Sequence, residues 1–581
     1  MKGLFPRVLP GGGAAAFAVL LLPLWEFGGA AWAQNLDPRD GDADSSSRRL
    51  PLSVIADDSR STEPALGAEE TMVEILPELK AIRLLADAGE AGDAAARARM
   101  ERLISEKVEP ALSSYVGKPL TIGALLEIKA TAQRIFDHHS VALTRVLLPE
   151  QEVSSGEILL VAVTARVGEI ESDRPVERNA IRLGKGDALD RQTLVDDLDW
   201  LNRASRRSAT ALLTTGDEPG ETNIRLGIDE IEKPWRLLAA WDNHGVEILG
   251  EERWTFGASH LDLFGAGIEA GYEYVTDSEF DRLAAHIAHA TIPLPAWRHE
   301  VRWLGYLADS SAPFDLGAGR EDLTLGGRSW QSSLEYRVPL ARAFRRRVRH
   351  EAIVGFDAKG ANTDIEFGFS EPFRTNTEIY QFKLGYEAGW TDKRGRTRAS
   401  AYFLASPGGW NGQNDDAAFA AARFEADSSY SFAVFGLERT IDLPGGFVFD
   451  AEFSGQVATS NLLPSEQLSL SGPWAVRGFA PSEIRADDGC LARLELLAPP
   501  LAVGGRGLGW QPFGFFDAGW GRSVDPLDDE ETLVLASGGL GVRGEFRNNI
   551  SSEIHYAWQI TEDGFDDPEM GRFEARVILR W

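Results

Sequence analysis

The stretch WQSSLEYRVPL, residues 330–340, alternates apolar and polar side chains along almost its whole length. In an extended chain, successive side chains point to opposite faces, so this alternation predicts a β-strand with one apolar and one polar face. The apolar face carries Trp330, Leu334, Tyr336, Val338 and Leu340, and the polar face carries Gln331, Ser333, Glu335 and Arg337.

The same alternation recurs through the C-terminal part of the chain, where helical periodicity is absent. Further instances are Tyr380–Trp390, Phe447–Val457, Ile550–Ile560 and Phe573–Trp581. Strands of soluble sandwiches are usually about five or six residues long, whereas a strand that crosses a membrane needs about 9–11. We therefore predict that residues 234–581 form an all-β transmembrane barrel of about 16 antiparallel strands, with about 14 or 18 fitting the spacing almost as well.

The N-terminal residues carry an export signal. Lys2 and Arg7 precede an apolar run that includes Ala14–Leu24, and Ala31-Trp32-Ala33 has the small-residue pattern of a cleavage site. This predicts a secretory signal peptide at residues 1–33. Residues 34–70 are rich in Asp, Ser and Arg and contain three prolines, which predicts a flexible linker. No later stretch approaches about 20 uncharged apolar residues, so no transmembrane helix is predicted.

Composition and missing motifs exclude several classes of function. The chain has 59 basic and 89 acidic residues, a net charge of −30, which argues against nucleic-acid binding. Its one cysteine, Cys490, excludes an intramolecular disulfide and a site with several thiolates. His138 and His139 would point about 100° apart on a helix, so they are not expected to share a metal ion. No nucleotide loop, zinc-protease motif or nucleophile elbow is present, and we predict no catalytic residue, metal or cofactor.

Two small α/β modules are predicted between the linker and the barrel. The first, at residues 71–170, has the order strand, helix, helix, strand, strand, with helices predicted over Ala94–Ser114 and Thr121–Asp137. The second, at residues 171–233, is expected to begin with a short strand at Ala180–Leu183 and to end in a hairpin. The predicted fold class is thus α+β modules followed by an all-β barrel.

Short motifs in the chain resemble those of a known family. Val476-Arg477-Gly478-Phe479 closes the run that starts at Glu466, and Phe515-Phe516-Asp517-Ala518-Gly519 follows it. They resemble the sixth-loop signature and the second barrel motif of two-partner secretion transporters, the ShlB/FhaC/HecB haemolysin secretion/activation proteins. The segments Tyr115–Thr121 and Leu147–Gln151 resemble the first periplasmic POTRA module of that family. The likeness covers nearly the whole mature chain.

The resemblance implies a fold and a function. It implies two periplasmic POTRA modules, then a sixteen-stranded barrel in a bacterial outer membrane, which exports a large unfolded β-rich exoprotein of the haemolysin or adhesin type. It also implies that a loop near 471–489 folds back into the lumen and places Arg477 beside Asp517. A guanidinium can bond a carboxylate through two parallel hydrogen bonds; from the residues alone, Arg477 would more simply be a solvated loop charge.

The residues assigned to this site belong to two groups. The loop motif comprises Val476, Arg477, Gly478 and Phe479, and the partner strand motif comprises Phe515, Asp517 and Gly519. The expected partners are the exoprotein client and outer-membrane lipid, and the transporter is expected to be monomeric. Two other functions remain open: an outer-membrane insertase of the same superfamily, which generally has three or more modules, and a passive porin or barrel enzyme, which would not need the modules.

Overall fold

The computed structural model describes residues 52–53 and 72–581, except 88–93, 140–142, 173–174, 205, 219, 232, 315–322, 341–347, 368–369, 503–507, 528–531, 548 and 562–570. The predicted signal peptide at 1–33 lies outside the described residues, and so does the predicted linker at 34–70 apart from Leu52–Ser53. The described chain forms two compact units, one within Asp44–Glu232 and one within Lys233–Trp581.

The N-terminal unit contains short strands and helices. Its strands are β1 (Leu52–Ser53), β2 (Glu74–Leu76), β3 (Ala81–Asp87), β4 (Leu120–Thr121), β5 (Thr144–Leu147), β6 (Glu157–Thr164), β7 (Arg166–Glu171), β8 (Arg207–Thr215) and β9 (Glu221–Glu230). Its α-helices are Ala94–Leu103, Glu109–Leu112, Ile122–His139, Pro175–Ala180 and Arg191–Leu201. A π-helical turn, Ile104–Val108, and a 3₁₀ turn, Ser113–Tyr115, flank Glu109–Leu112.

Two sheets in this unit share one topology. In the order β3-β6-β5, the strand β3 is parallel to β6, and β5 and β6 form an antiparallel hairpin. In the order β1-β8-β9-β7, the strand β7 is parallel to β9, and β8 and β9 form the hairpin. Helices cover these sheets because their apolar residues recur at helical spacing: Ile128, Ala132 and Phe136 are all completely buried.

Three details of the N-terminal unit differ from the prediction. The helix expected over Ala94–Ser114 contains the π-helical turn just before Pro110, whose missing N–H cannot continue the ordinary ladder. The strand expected at Ala180–Leu183 is not formed; Ile181 and Leu183 are buried in the core without strand pairing, and β7 supplies the first strand of the second sheet. Leu52–Ser53, inside the predicted linker, pairs in parallel with β8.

The C-terminal unit is a barrel of long strands. These are β10 (Trp235–Asp242), β11 (Arg253–Leu263), β12 (Ile268–Asp277), β13 (Leu283–Leu294), β14 (His299–Phe314), β15 (Leu323–Pro339), β16 (Arg349–Phe367), β17 (Ser370–Asp392), β18 (Gly395–Pro407), β19 (Ser429–Asp442), β20 (Val448–Ala458), β23 (Asp488–Leu497), β24 (Leu501–Ala502), β25 (Leu508–Arg522), β26 (Leu533–Phe546), β27 (Ile550–Gln559) and β28 (Gly571–Arg580). Two short segments, β21 (Leu468–Ser469) and β22 (Arg485–Ala486), pair separately in the connection between β20 and β23.

The barrel closes on itself through its first and last strands. Each neighbouring pair is antiparallel, and β10 pairs with β28. Since β24 continues β23 along β25, the described residues form sixteen barrel strands, which confirms the predicted fold class. The strands are less uniform than expected: β15, β16 and β17 have 17, 19 and 23 residues, so their ladders run beyond the roughly ten residues that a membrane requires.

The faces of the barrel are inverted relative to those of a soluble protein. In β17, the outward side chains Phe382 and Leu384 are 53% and 56% exposed, whereas Gln381 is completely buried. In β28, Phe573 is exposed and Glu574 is completely buried. An apolar outer surface around a polar interior is the arrangement of a barrel that lies in lipid. Among the described residues, no helix combines the length and apolar character needed to cross a membrane.

One helix interrupts the barrel pattern although no helical pattern was expected after Trp235. The helix Asp416–Ala422 lies in the connection between β18 and β19. The Asp415 carboxylate accepts a hydrogen bond from the Ala418 N–H at 2.9 Å and caps this alanine-rich turn. Phe419 is completely buried and packs beside Tyr430 of β19. A single short amphipathic turn is too brief for periodicity to reveal it.

We predict that arginine on the two faces of β18 has different effects. Ala401 points outward between Tyr386 and Phe435, and the adjacent Ser400 points into the polar lumen. Ala401→Arg should lower the free energy of unfolding in lipid bilayers by about 2–4 kcal/mol, because Ala401 is the middle residue of β18 and a lipid-facing cation costs most at mid-depth. Ser400→Arg is the matched control and should cost clearly less in the same urea titration. Equal losses would contradict the assignment of the faces.

Candidate functional site

Residues 459–487 join β20 to β23 and form the sixth connection at that end of the barrel; this segment is called the sixth loop here and lies inside the lumen. The paired segments β21 and β22 form its stem. It contacts inward-facing side chains of barrel strands, and it carries an apolar core of its own against Leu491 of β23 and Leu535 of β26. The buried loop residues of that core are Leu468, Leu470, Ala475, Val476, Phe479 and Ala486.

Arg477, near the tip of the sixth loop, is buried to 1% exposure against fully buried Asp517 of β25. Its Nε donates to Asp517 Oδ2 at 2.6 Å and its Nη2 donates to Asp517 Oδ1 at 2.8 Å, so the contact is bidentate. The Arg477 backbone N–H also donates to Asp517 Oδ2 at 3.3 Å. The structure therefore brings these two sequence-assigned residues into direct contact.

Two further wall groups complete the surroundings of the Arg477 guanidinium. Its Nη1 donates to Glu495 Oε1 of β23 at 2.6 Å. Its central carbon lies 3.6 Å from the centre of the Phe515 ring, within cation–π range. Arg543 of β26 donates to the other oxygen of Glu495 at 2.8 Å, so the second carboxylate is itself balanced. The guanidinium is thus enclosed by two carboxylates and one aromatic face.

Two glycines allow the loop tip to approach the wall. Gly478 has φ +89°, and a Cβ there would lie 3.0 Å from Ala557 Cβ. Gln559 of β27 donates to the Gly478 carbonyl at 2.6 Å. On the wall, a Cβ at Gly519 would lie 3.0 Å from Val476 Cγ2. A side chain at either position would prevent this close approach of the backbone, so both positions require glycine.

All seven assigned residues lie in one cluster, but the sequence did not reveal all of its members. Val476 and Phe479 are completely buried in the apolar core of the sixth loop, and Phe515 lies under Arg477. Glu495 and Gln559 were missed. Alternation places Glu495 on the lumen face of β23, between the outward Leu494 and Leu496, but it does not indicate which lumen residue meets the loop.

The base of the sixth loop has a separate anchor. Arg423, in the connection between β18 and β19, donates to both oxygens of Asp487, at 2.5 and 2.8 Å. Asp487 is completely buried and also accepts from the backbone N–H groups of Leu462, at 2.9 Å, and Val524, at 3.2 Å. One carboxylate therefore ties three connections at the same end of the barrel, and the loop is held at its base and at its tip. The arrangement holds a polypeptide segment across the lumen in a defined position.

Comparison with known proteins shows which family this chain is similar to. Residues 220–544 match the model of the haemolysin secretion/activation protein ShlB/FhaC/HecB family. The chain is 23% identical over 422 residues to the outer membrane transporter CdiB-2 of Burkholderia pseudomallei, with 68% of this chain and 67% of that protein covered. It is 22% identical over 417 residues to the heme/hemopexin transporter protein HuxB of Haemophilus influenzae, with 68% and 69% covered.

A solved structure has the same fold. The chain aligns with CdiB from Escherichia coli at a TM-score of 0.71 and 16% identity, over 100% of both chains. The match to the family model spans more than half of the chain and includes both the sixth loop and β25. The chain therefore belongs to the haemolysin secretion/activation protein ShlB/FhaC/HecB family and is an outer-membrane transporter of two-partner secretion.

Proposed function

We propose that the chain captures a large, unfolded, β-rich exoprotein of the haemolysin or adhesin type with its N-terminal modules and exports it through the barrel. In this proposal the barrel lies in outer-membrane lipid as a monomer, the modules face the periplasm, and the chain carries no catalytic activity. The observation that carries the proposal is the sixth loop, whose tip is locked to β25 by Arg477 and Asp517 inside the lumen.

The bidentate ion pair between Arg477 and Asp517, called the lock from here on, favours gated export over passive diffusion. A passive pore needs an open lumen, whereas here an apolar loop core packs against the wall and a buried ion pair holds it. Removing Arg477 leaves the Asp517 carboxylate buried and unpaired, which costs about 3–5 kcal/mol; removing Asp517 leaves Arg477 with Glu495 as its remaining carboxylate. The loop therefore has a defined resting position, and we infer that export begins when a client displaces it.

Capture is assigned to the free side of β3 in the first module. Among the described residues, β3 pairs only with β6, so its other edge is open to an added strand. A groove of about 260 Å³ lies beside this strand. It is lined by Lys80, Ala81, Ile82, Leu84, Val108, Glu109, Leu112, Ser113 and Val116. An extended client can donate and accept backbone hydrogen bonds along β3 and place alternate side chains in the groove.

The lock predicts a charge-reversal rescue. Arg477→Asp and Asp517→Arg should each lower secretion of an exoprotein encoded beside this chain, because each places two like charges in a buried site. The double variant restores an opposite pair and should recover a substantial part of the secretion; Glu495, which also contacts Arg477, limits full recovery. Secretion is measured as exoprotein in the medium, with barrel folding checked by heat-modifiable gel mobility. Folded double variants that secrete no more than the single variants would contradict the lock.

The open edge predicts a proline effect on capture. Successive backbone N–H groups along a strand point to opposite edges, and Arg83 and Ala86 are separated by an odd number of positions on β3. One of Arg83→Pro and Ala86→Pro therefore removes an N–H from the free edge, and the other removes one from the ladder with β6. The variant whose circular dichroism stays native should bind the unfolded exoprotein about tenfold more weakly, by loss of a backbone hydrogen bond and strand fit.

The matched control for this experiment is Glu150→Pro, in the exposed connection between β5 and β6. It should leave both the fold and exoprotein binding unchanged. If a folded β3 variant bound the exoprotein as tightly as the control does, capture along this edge would be refuted.

A further inference from the structure

The sixth loop has a third charged contact at Glu466, eleven positions before Arg477, which involves neither Asp517 nor Asp487. Lys359 of β16 donates from Nζ to Glu466 Oε1 at 2.7 Å. Gln381 of β17 donates from Nε2 to Glu466 Oε2 at 2.9 Å. Both oxygens of the Glu466 carboxylate are thus bound to the wall, while its backbone carbonyl accepts from Gln456 of β20 at 3.0 Å.

This contact is largely enclosed, although less completely than the Arg477–Asp517 pair. The Glu466 side chain is 2% exposed and the Lys359 side chain is 13% exposed. Gln381 is completely buried, and its own carbonyl accepts from the Tyr430 hydroxyl at 2.9 Å. Its amide also donates to Asp357 at 3.2 Å, so the group that binds Glu466 is fixed by neighbours on two other strands, β16 and β19. Glu466 therefore meets a preformed set of donors.

The contacts of the loop at Glu466 and at the Gly478 carbonyl lie on opposite walls, and Asp517, which binds Arg477, lies on the thirteenth strand, six strands from β16. Counting from β10, the strand β16 is the seventh of the sixteen that the described residues form, and β27 is the fifteenth. Glu466 is bound to β16, and the Gly478 carbonyl is bound to Gln559 of β27 at 2.6 Å. A separation of eight strands in sixteen is half of the circumference. The segment from Glu466 to Gly478 therefore bridges the lumen.

We propose that Glu466, held by Lys359 and Gln381, is a second anchor of the sixth loop inside the lumen, besides Arg477. Together the two anchors hold the loop across the pore, and both must release before a client can pass. The proposal rests on the export function proposed above. The base of the loop is held through Asp487 and its tip through Arg477; the Glu466 contact adds an attachment to β16 and β17, which holds the segment before the tip across the pore.

The experiment uses the purified full chain in planar lipid bilayers without a client. Glu466→Gln and Lys359→Met each remove one charge at nearly constant side-chain volume. Each should raise the fraction of time spent in large-conductance states by about tenfold or more, because a buried charge in the closed position loses its partner. The double reversal, Glu466→Lys with Lys359→Glu, should return the channel toward wild-type behaviour.

A labelling readout reports the loop itself. Ser471 is 1% exposed, and the chain's one cysteine can be removed by Cys490→Ser. In that background Ser471→Cys should react with a bulky maleimide about tenfold faster when Glu466→Gln is present. Barrel folding is checked for every variant by heat-modifiable gel mobility, and Lys359→Met serves if Glu466→Gln fails to fold.

The matched control is Asp309→Asn. Asp309 of β14 is paired with Arg328 of β15 at 2.6 Å; both side chains are half-exposed and share the outward face of Leu307 and Leu334, whereas Lys359 binds Glu466 inside the lumen. The control should change neither conductance nor labelling. The second anchor is refuted if folded Glu466→Gln and Lys359→Met behave like the control, or if the double reversal leaves the channel as open as the single variants. Exoprotein secretion is measured separately, so wild-type chain that fails to secrete would refute the export function and leave the anchor test intact.

Discussion

A fully buried arginine inside a membrane barrel constrains everything around it. The Arg477 guanidinium has almost no access to water, and its charge is balanced by Asp517 and Glu495 on two adjacent wall strands. Such a charge is tolerated only where its partners are in place. The register of β23 with β25, the positive φ of Gly478 and the empty space above Gly519 all serve to bring the loop tip to these carboxylates.

The inverted barrel makes this arrangement possible. Because apolar side chains face outward, the polar side chains of all sixteen strands formed by the described residues converge on the lumen and can bind a loop from any direction. The sixth loop is bound at its tip, at Glu466 and at Asp487 near its base. Each buried pair costs about 3–5 kcal/mol to break by loss of one partner. In the proposed mechanism, a client must exchange these contacts for its own before it can pass the loop.

The barrel could be predicted from the sequence, whereas most contacts of the sixth loop could not, for physical reasons. Period-two alternation identifies the two faces of a strand. The barrel, with its apolar face toward lipid and its polar face toward the lumen, could therefore be predicted from segments such as Tyr380–Trp390. Alternation does not report register across strands that are far apart in sequence. Glu466 and Lys359 are separated by 107 positions, so their contact depends on how the whole barrel closes. Arg477 and Asp517 were found only because both lie in motifs that resemble a family.

The central claim is that the sixth loop must leave its position on the wall during export, and a reversible tether tests it most directly. In a Cys490→Ser background, Val476→Cys with Gly519→Cys places two thiols across the loop and β25, where an added Cβ already lies 3.0 Å from the Val476 side chain. That spacing is compatible with a disulfide after small adjustment. We predict that the oxidised transporter stops secreting exoprotein and that reduction restores secretion to the level of the single-cysteine variants. Secretion at an undiminished rate through a fully oxidised, folded transporter would contradict the account.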